Sequence, residues 1–199
     1  MKFKKSRNGK VSPEIPTIPQ LETELKREKY KIRYRGVLRS TIAVIAIAAA
    51  IAVLIVTMWM PVLKIYGTSM NPTLKDGNIV VLFKNTNAEQ GDLIAFYYNN
   101  KILVKRVIAF AGDWIDIDED GTVYVNDKQL EEPYLIEKAY GECDIEFPYQ
   151  VPDGKVFVMG DHRSVSVDSR SSQIGCVSEE QIVGTLAFRV WPLNKIGSL

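Results

Sequence analysis

The chain has 199 residues, 46% hydrophobic and 25% charged, with a formal net charge of +1. That near-neutral total joins two opposed blocks: residues 1–39 hold 12 Lys/Arg against 4 Asp/Glu, and the rest holds 13 against 20. The split argues against a uniformly basic nucleic-acid binder, and one His with two Cys argues against a Cys/His zinc cluster or a dense disulfide scaffold.

Residues 1–20 place Pro13, Pro16 and Pro19 among polar residues and read as a linker. LETELKREKYKIRYR, 21–35, fits either a charged helix near anionic headgroups or a solvated stalk whose charges fix topology. Ser40 to Leu63 then carry no charge. At about 1.5 Å per residue, 24 helical residues reach roughly 36 Å, enough for a hydrocarbon core of about 30 Å. A buried core helix rarely stays free of polar residues for so long, and a cleavable signal peptide would not begin with 39 residues of other chain. Arg33, Arg35 and Arg39 precede the span, so the N-terminus is expected in the cytoplasm, with Trp59 as an interfacial anchor. Three segments follow: a basic cytoplasmic stretch 1–39, a transmembrane signal anchor 40–63, and an extracytoplasmic domain 64–199.

That outer domain reads as β throughout. NIVVLFK (78–84), DLIAFYY (92–98), ILVKRVIAF (102–110), KVFVMG (155–160) and IVGTLAFRV (182–190) are short, β-branched or aromatic, and bounded by turn residues. DWIDIDEDGTVYVNDKQL (113–130) alternates on both sides of Asp120-Gly121, which predicts a type I′ hairpin there. Pro152-Asp153-Gly154 marks a turn before the next strand. The expected fold class is mainly β, an antiparallel-sheet catalytic domain preceded by one transmembrane helix.

Three segments could carry chemistry. His162 is the only imidazole, and it lies in a polar loop, so a nucleophilic mechanism would need another base. Ser69 lies in Tyr66-Gly67-Thr68-Ser69-Met70-Asn71-Pro72-Thr73, at most about 20 Å of extended chain beyond Leu63. By itself it reads equally as a turn hydroxyl. Lys105 interrupts the apolar strand ILVKRVIAF, sharing a face with Leu103, Val107 and Ala109, while Arg106 points the other way. Either it snorkels at a strand edge, or burial lowers its pKa by roughly 3 units, a differential of about 4 kcal/mol. Met159 to Arg170 is dense in hydroxyls, carboxylates and Arg, and reads as a polar loop or as support for that base. Cys143 and Cys176 could pair or stay free.

Taken in order, these segments resemble the bacterial type I signal peptidases, membrane-anchored Ser-Lys endopeptidases. The resemblance rests on Ser69-Met70-Xaa-Pro72-Thr73, on Gly91-Asp92 with Lys105-Arg106-Val107-Ile108 and Gly112-Asp113, and on Gly160-Asp161-Xaa-Arg163 with Ser166-Xaa-Asp168-Ser169-Arg170. It implies Ser69 as nucleophile, Lys105 as general base, Ser166 as the hydroxyl orienting the amine, and Asp161, Asp168 and Arg170 as a supporting framework. It also implies removal of signal peptides from exported preproteins after small residues at −3 and −1, at the outer face of the cell membrane, with no metal, cofactor or nucleic acid. Two positions depart from the pattern. His162 stands where many relatives have Asn. Gly67 stands where some have a Ser that joins the oxyanion hole, leaving backbone N–H groups, those of Ser69 and Gly67, or the Thr68 side chain. A related processing protease with a restricted client, or a noncatalytic binding domain on the same fold, would share the motifs.

Overall fold

The structure is a computed structural model and describes residues 17–84 and 87–199. Most of the Pro-rich stretch read as linker lies outside the described residues. Helix α1 runs Ile18–Trp59, so the charged 21–35 segment is helical and continuous with the apolar run. None of its side chains is buried, and its most apolar stretch has mean hydropathy 2.8, which is long and apolar enough to cross a membrane. The helix stops short of Leu63. Pro61 has no N–H to continue it and disfavours helical backbone at Met60. Val62 and Leu63, expected in the span, instead enter strand β1, Val62–Lys64.

The chain divides into two compact units after Leu54, and beyond the end of α1 the second is built mainly of β-strands. The larger sheet contains β1, β2 (Ile79–Phe83), β3 (Leu93–Tyr98), β4 (Lys101–Phe110), β9 (Lys155–Met159), β10 (Val177–Ser178), β11 (Ile182–Trp191) and β12 (Gly197–Ser198). Its order is β1-β2-β11-β3-β4-β9-β10, antiparallel at each pairing, with β12 against β11. The smaller sheet orders β7 (Lys128–Gln129), β6 (Val123–Val125), β5 (Trp114–Ile117) and β8 (Tyr149–Gln150). All five strands expected from apolar runs are present within a residue or two.

The hairpin predicted around Asp120-Gly121 forms between β5 and β6, but not on a two-residue primed turn. Asp116 and Ile117 pair with Tyr124 and Val123, so residues 118–122 form a longer loop closed by Asp118, whose Oδ1 accepts the Thr122 N–H at 2.7 Å. A second, tighter hairpin joins β6 to β7 at Asn126-Asp127, φ 52° and 63°, between the paired residues Val125 and Lys128. Both residue types tolerate the left-handed region that a two-residue turn requires.

Two core clusters face the site from opposite ends of β4. Ile65, Met70, Leu74, Val80, Leu82, Leu93 and Ala95 pack together, and Ile108, Ile115, Val123, Phe157 and Met159 form the second. The first seals the loop carrying Ser69. The second fixes the junction between the sheets, from which the 160–170 loop departs.

Candidate active site

β4 carries the site because its two halves have different neighbours. Arg106 to Phe110 pair with β9, whereas Lys101 to Lys105 pair only with β3, leaving their other edge open. β1 likewise pairs only with β2. Between these two open edges lies a slot of about 640 Å³, lined by Leu63, Ile65, Tyr66, Ile102 and Val104 among others. Ser69 and Lys105 both open onto it.

Lys105 sits opposite Ile94 in the β3–β4 register and is only 4% exposed. Its Nζ donates to Ser166 Oγ at 2.8 Å. Burial drives its pKa down to about 8; the Asp168 carboxylate pushes it up, Arg170 down, and Asp161 up again. Three other buried cations each have a carboxylate. Arg106 pairs with Asp161, Arg163 with Glu132, and Arg170 with Asp168. Lys105 has no ion-pair partner among the described residues. A neutral Lys105 therefore leaves the buried set balanced, and a protonated one leaves it with an uncompensated charge, which burial disfavours.

The remaining expected residues assemble around this amine. Arg106 Nε and Nη2 donate to Asp161 Oδ1 and Oδ2 at 2.8 and 2.6 Å, so Lys105 and Arg106 engage different acceptors as their alternation predicts. Asp161 also accepts the Thr73 hydroxyl, tying the framework to the Ser69 loop. Asp168, fully buried, accepts Arg170 Nε and Nη2 at 2.8 and 2.9 Å and the Gly160 N–H at 2.9 Å. Burial would raise its pKa, but Arg170, the Gly160 N–H and the Ser166 hydroxyl outweigh this and hold it below its ordinary value. His162 works through its backbone: its N–H donates to Ser69 O at 2.9 Å, and its carbonyl accepts the Ser166 N–H at 3.1 Å. One residue thereby links the Ser69 and Ser166 segments, while its Nδ1 is buried with no hydrogen-bond partner among the described residues.

The half-buried Ser69 has no hydrogen bond from its hydroxyl or its N–H among the described residues, so both remain available to a ligand. Gly67 does not share this. Its N–H donates to Asp76 Oδ1 at 2.9 Å, which removes it as an oxyanion donor. Its φ of 91° is what its lack of a side chain permits. Cys143 and Cys176 are free thiols, the second pushed up by burial. Among the described residues no group of three His, Cys, Asp or Glu is arranged to hold a metal ion.

Sequence reading missed Glu132 as the buried partner of Arg163, Tyr134 as the hydroxyl donor to Glu132, and the close packing at Gly160. A Cβ at residue 160 would collide with Ser166 Oγ and lie 2.6 Å from Ser69 O, so glycine there lets the segments carrying Ser69 and Ser166 close on residue 160. The available signal was the adjacent polar loop. Nothing local announces Glu132 or Tyr134, which lie in a stretch with no period.

Residues 38–191 match the family described as "Signal peptidase, peptidase S26". The chain belongs to that family. It is 38% identical over 175 residues to signal peptidase IB of Staphylococcus aureus, covering 76% of this chain and 90% of that one. It is 36% identical over 168 residues to signal peptidase I of Bacillus licheniformis, covering 76% and 88%. A solved signal peptidase I from Enterococcus faecalis is 29% identical and matches 51% of this chain and 97% of its own, with a TM-score of 0.44. Family membership and the apolar helix α1 together make this signal peptidase homologue a membrane-anchored protein.

Proposed function

We propose that this chain is a serine endopeptidase that removes signal peptides from exported preproteins, with Ser69 as nucleophile and Lys105 as general base. The observation that carries the reading is a buried lysine without a carboxylate partner, opening onto the same slot as a serine with an unengaged hydroxyl. A neutral amine has two N–H donors and one lone pair. One donor is spent on Ser166, and in this reading the lone pair is left for the Ser69 proton.

In the forward step Lys105 takes the proton from Ser69 Oγ as the oxygen attacks the scissile carbonyl. The Ser69 N–H is the donor for the developing oxyanion. Lys105 then protonates the departing amine, and afterwards activates the water that hydrolyses the acyl-enzyme. The two open strand edges, β1 and Lys101–Lys105, fit an extended substrate that pairs with both through its backbone. Small residues at −1 and −3 of that substrate are what membership of the family implies. Anchoring through α1 confines enzyme and membrane-held substrate to one surface. The cations before the span favour a cytoplasmic N-terminus and a catalytic part outside.

The test is cleavage of a preprotein by the purified full chain in lipid or detergent, with the product's new N-terminus sequenced. Ser69→Ala should fold and yield no mature product. Cleavage by that variant at the wild-type rate would refute the nucleophile.

A further inference from the structure

The stretch 130–148, between β7 and β8, has no regular secondary structure yet packs against the 160–172 loop at several points. Tyr140 O accepts Arg170 Nη1 at 2.6 Å, and the Asp144 carboxylate accepts the Ser172 hydroxyl at 2.7 Å. Its deepest contact is Glu132. That carboxylate takes both terminal nitrogens of Arg163, and each side chain of the pair is 1% exposed. Arg163 Nε meanwhile donates to Gly160 O at 3.1 Å. Two residues on, Tyr134 donates its hydroxyl to Glu132 Oε1 at 2.9 Å and lays its ring 3.8 Å from the guanidinium carbon of Arg106. Arg106 in turn holds Asp161 through both carboxylate oxygens.

One short segment thus grips the 160–163 loop from both sides, through Arg163 and through Arg106. Gly160 lies against Ser166 Oγ and Ser69 O, so any slack in this loop is transmitted to both ends of the proposed catalytic pair. Surface braces are common and weak, but this one is buried. A carboxylate removed from water is retained only where its partner and geometry are fixed.

We propose that Glu132 and Tyr134 are positioning residues for the Ser69–Lys105 pair, acting through Arg163 and Arg106 to hold Ser166 against the Lys105 amine. The proposal rests on the Ser-Lys reading above. Neither residue lines the slot, so neither is placed to touch a substrate held there. Their loss should therefore slow turnover and leave substrate binding alone. It should also let water reach the amine, which is faced by Ser166 and by the charges of Asp168, Arg170 and Asp161. Wetting relieves the burial that depresses its basicity, so the acid limb of the rate profile should move to higher pH.

The experiment compares full-length wild type, Glu132→Gln and Tyr134→Phe on one preprotein, with active sites titrated by a serine-acylating probe. Expected for Glu132→Gln is a fall in kcat per titrated site on the order of tenfold to a hundredfold, KM unchanged, and an acid limb displaced upward. Tyr134→Phe should show the same pattern with smaller amplitude, and Glu132→Asp should recover part of the rate. Should Glu132→Gln fail to fold, Tyr134→Phe decides alone. Unchanged kcat and acid limb in a folded variant overturn the positioning role, as does a change confined to KM. Ser69→Ala, run alongside, separates the two readings: if it still cleaves, the Ser-Lys assignment has failed rather than the brace.

Discussion

The Nζ of Lys105 donates to Ser166 Oγ at 2.8 Å, inside a buried cluster where Arg106, Arg163 and Arg170 each own a carboxylate and Lys105 owns none. The arrangement disfavours an ammonium at that position and favours a neutral amine. Charge pairing elsewhere in the loop is what isolates this one nitrogen.

The first consequence concerns pH. With the amine near 8, about a tenth is neutral at pH 7 and most is neutral by pH 9. Preprotein cleavage, followed as kcat/KM, should rise through pH 8 and then level off. An optimum on the acid side would contradict Lys105 as base.

Stability should move the opposite way when the lysine is removed. Its folded pKa, about 8, lies below its unfolded value near 10.5, so the unfolded chain binds more protons between those limits and stability rises with pH across them. Below pH 8 the full cost of about 3 kcal/mol is present. Lys105→Met should abolish activity yet stabilise the fold at pH 7 by about 2 kcal/mol, after about 1 kcal/mol for the lost hydrogen bond. Chemical denaturation should show the gain shrinking between pH 8 and 10.5.

Gly160→Ala tests the close approach of the 160–170 loop and Ser69. The added carbon meets Ser166 Oγ and Ser69 O, both backed by packed chain. We expect a destabilisation of about 1–3 kcal/mol and a fall in kcat on the order of a hundredfold. Full activity in the alanine variant, measured per titrated active site, would show that the loop can give way.

Asp168→Asn removes one charge and leaves Arg170 buried without its counter-ion. The expected loss at pH 7 is about 3–5 kcal/mol by urea denaturation. Because Asp168 is held below its ordinary pKa, its contribution is present above that ordinary value and disappears as the pH falls through the folded one. The variant should therefore show a smaller loss of stability on acidification than wild type.

Much of this was legible before folding. Uncharged residues 40–59 need lipid or a core, and β-branched runs such as Ile79–Phe83 need a sheet; both demands arise from neighbours in the chain. Lys105 stood out because it interrupts an apolar alternation. The hairpin around Asp120-Gly121 was legible too, but the length of its loop, 118–122, was set by the cross-strand register and not by the dipeptide.

The chain order alone therefore determined an apolar span, a mainly antiparallel β part, and the residue types and spacing that carry the family resemblance. What it could not decide is which groups meet. Glu132 reaches Arg163 across 31 positions, Asp161 reaches Arg106 across 55, and Lys105 reaches Ser166 across 61. Hydropathy and propensity are local properties, whereas burial and charge pairing depend on what the fold brings alongside. The basicity of one amine was settled only there.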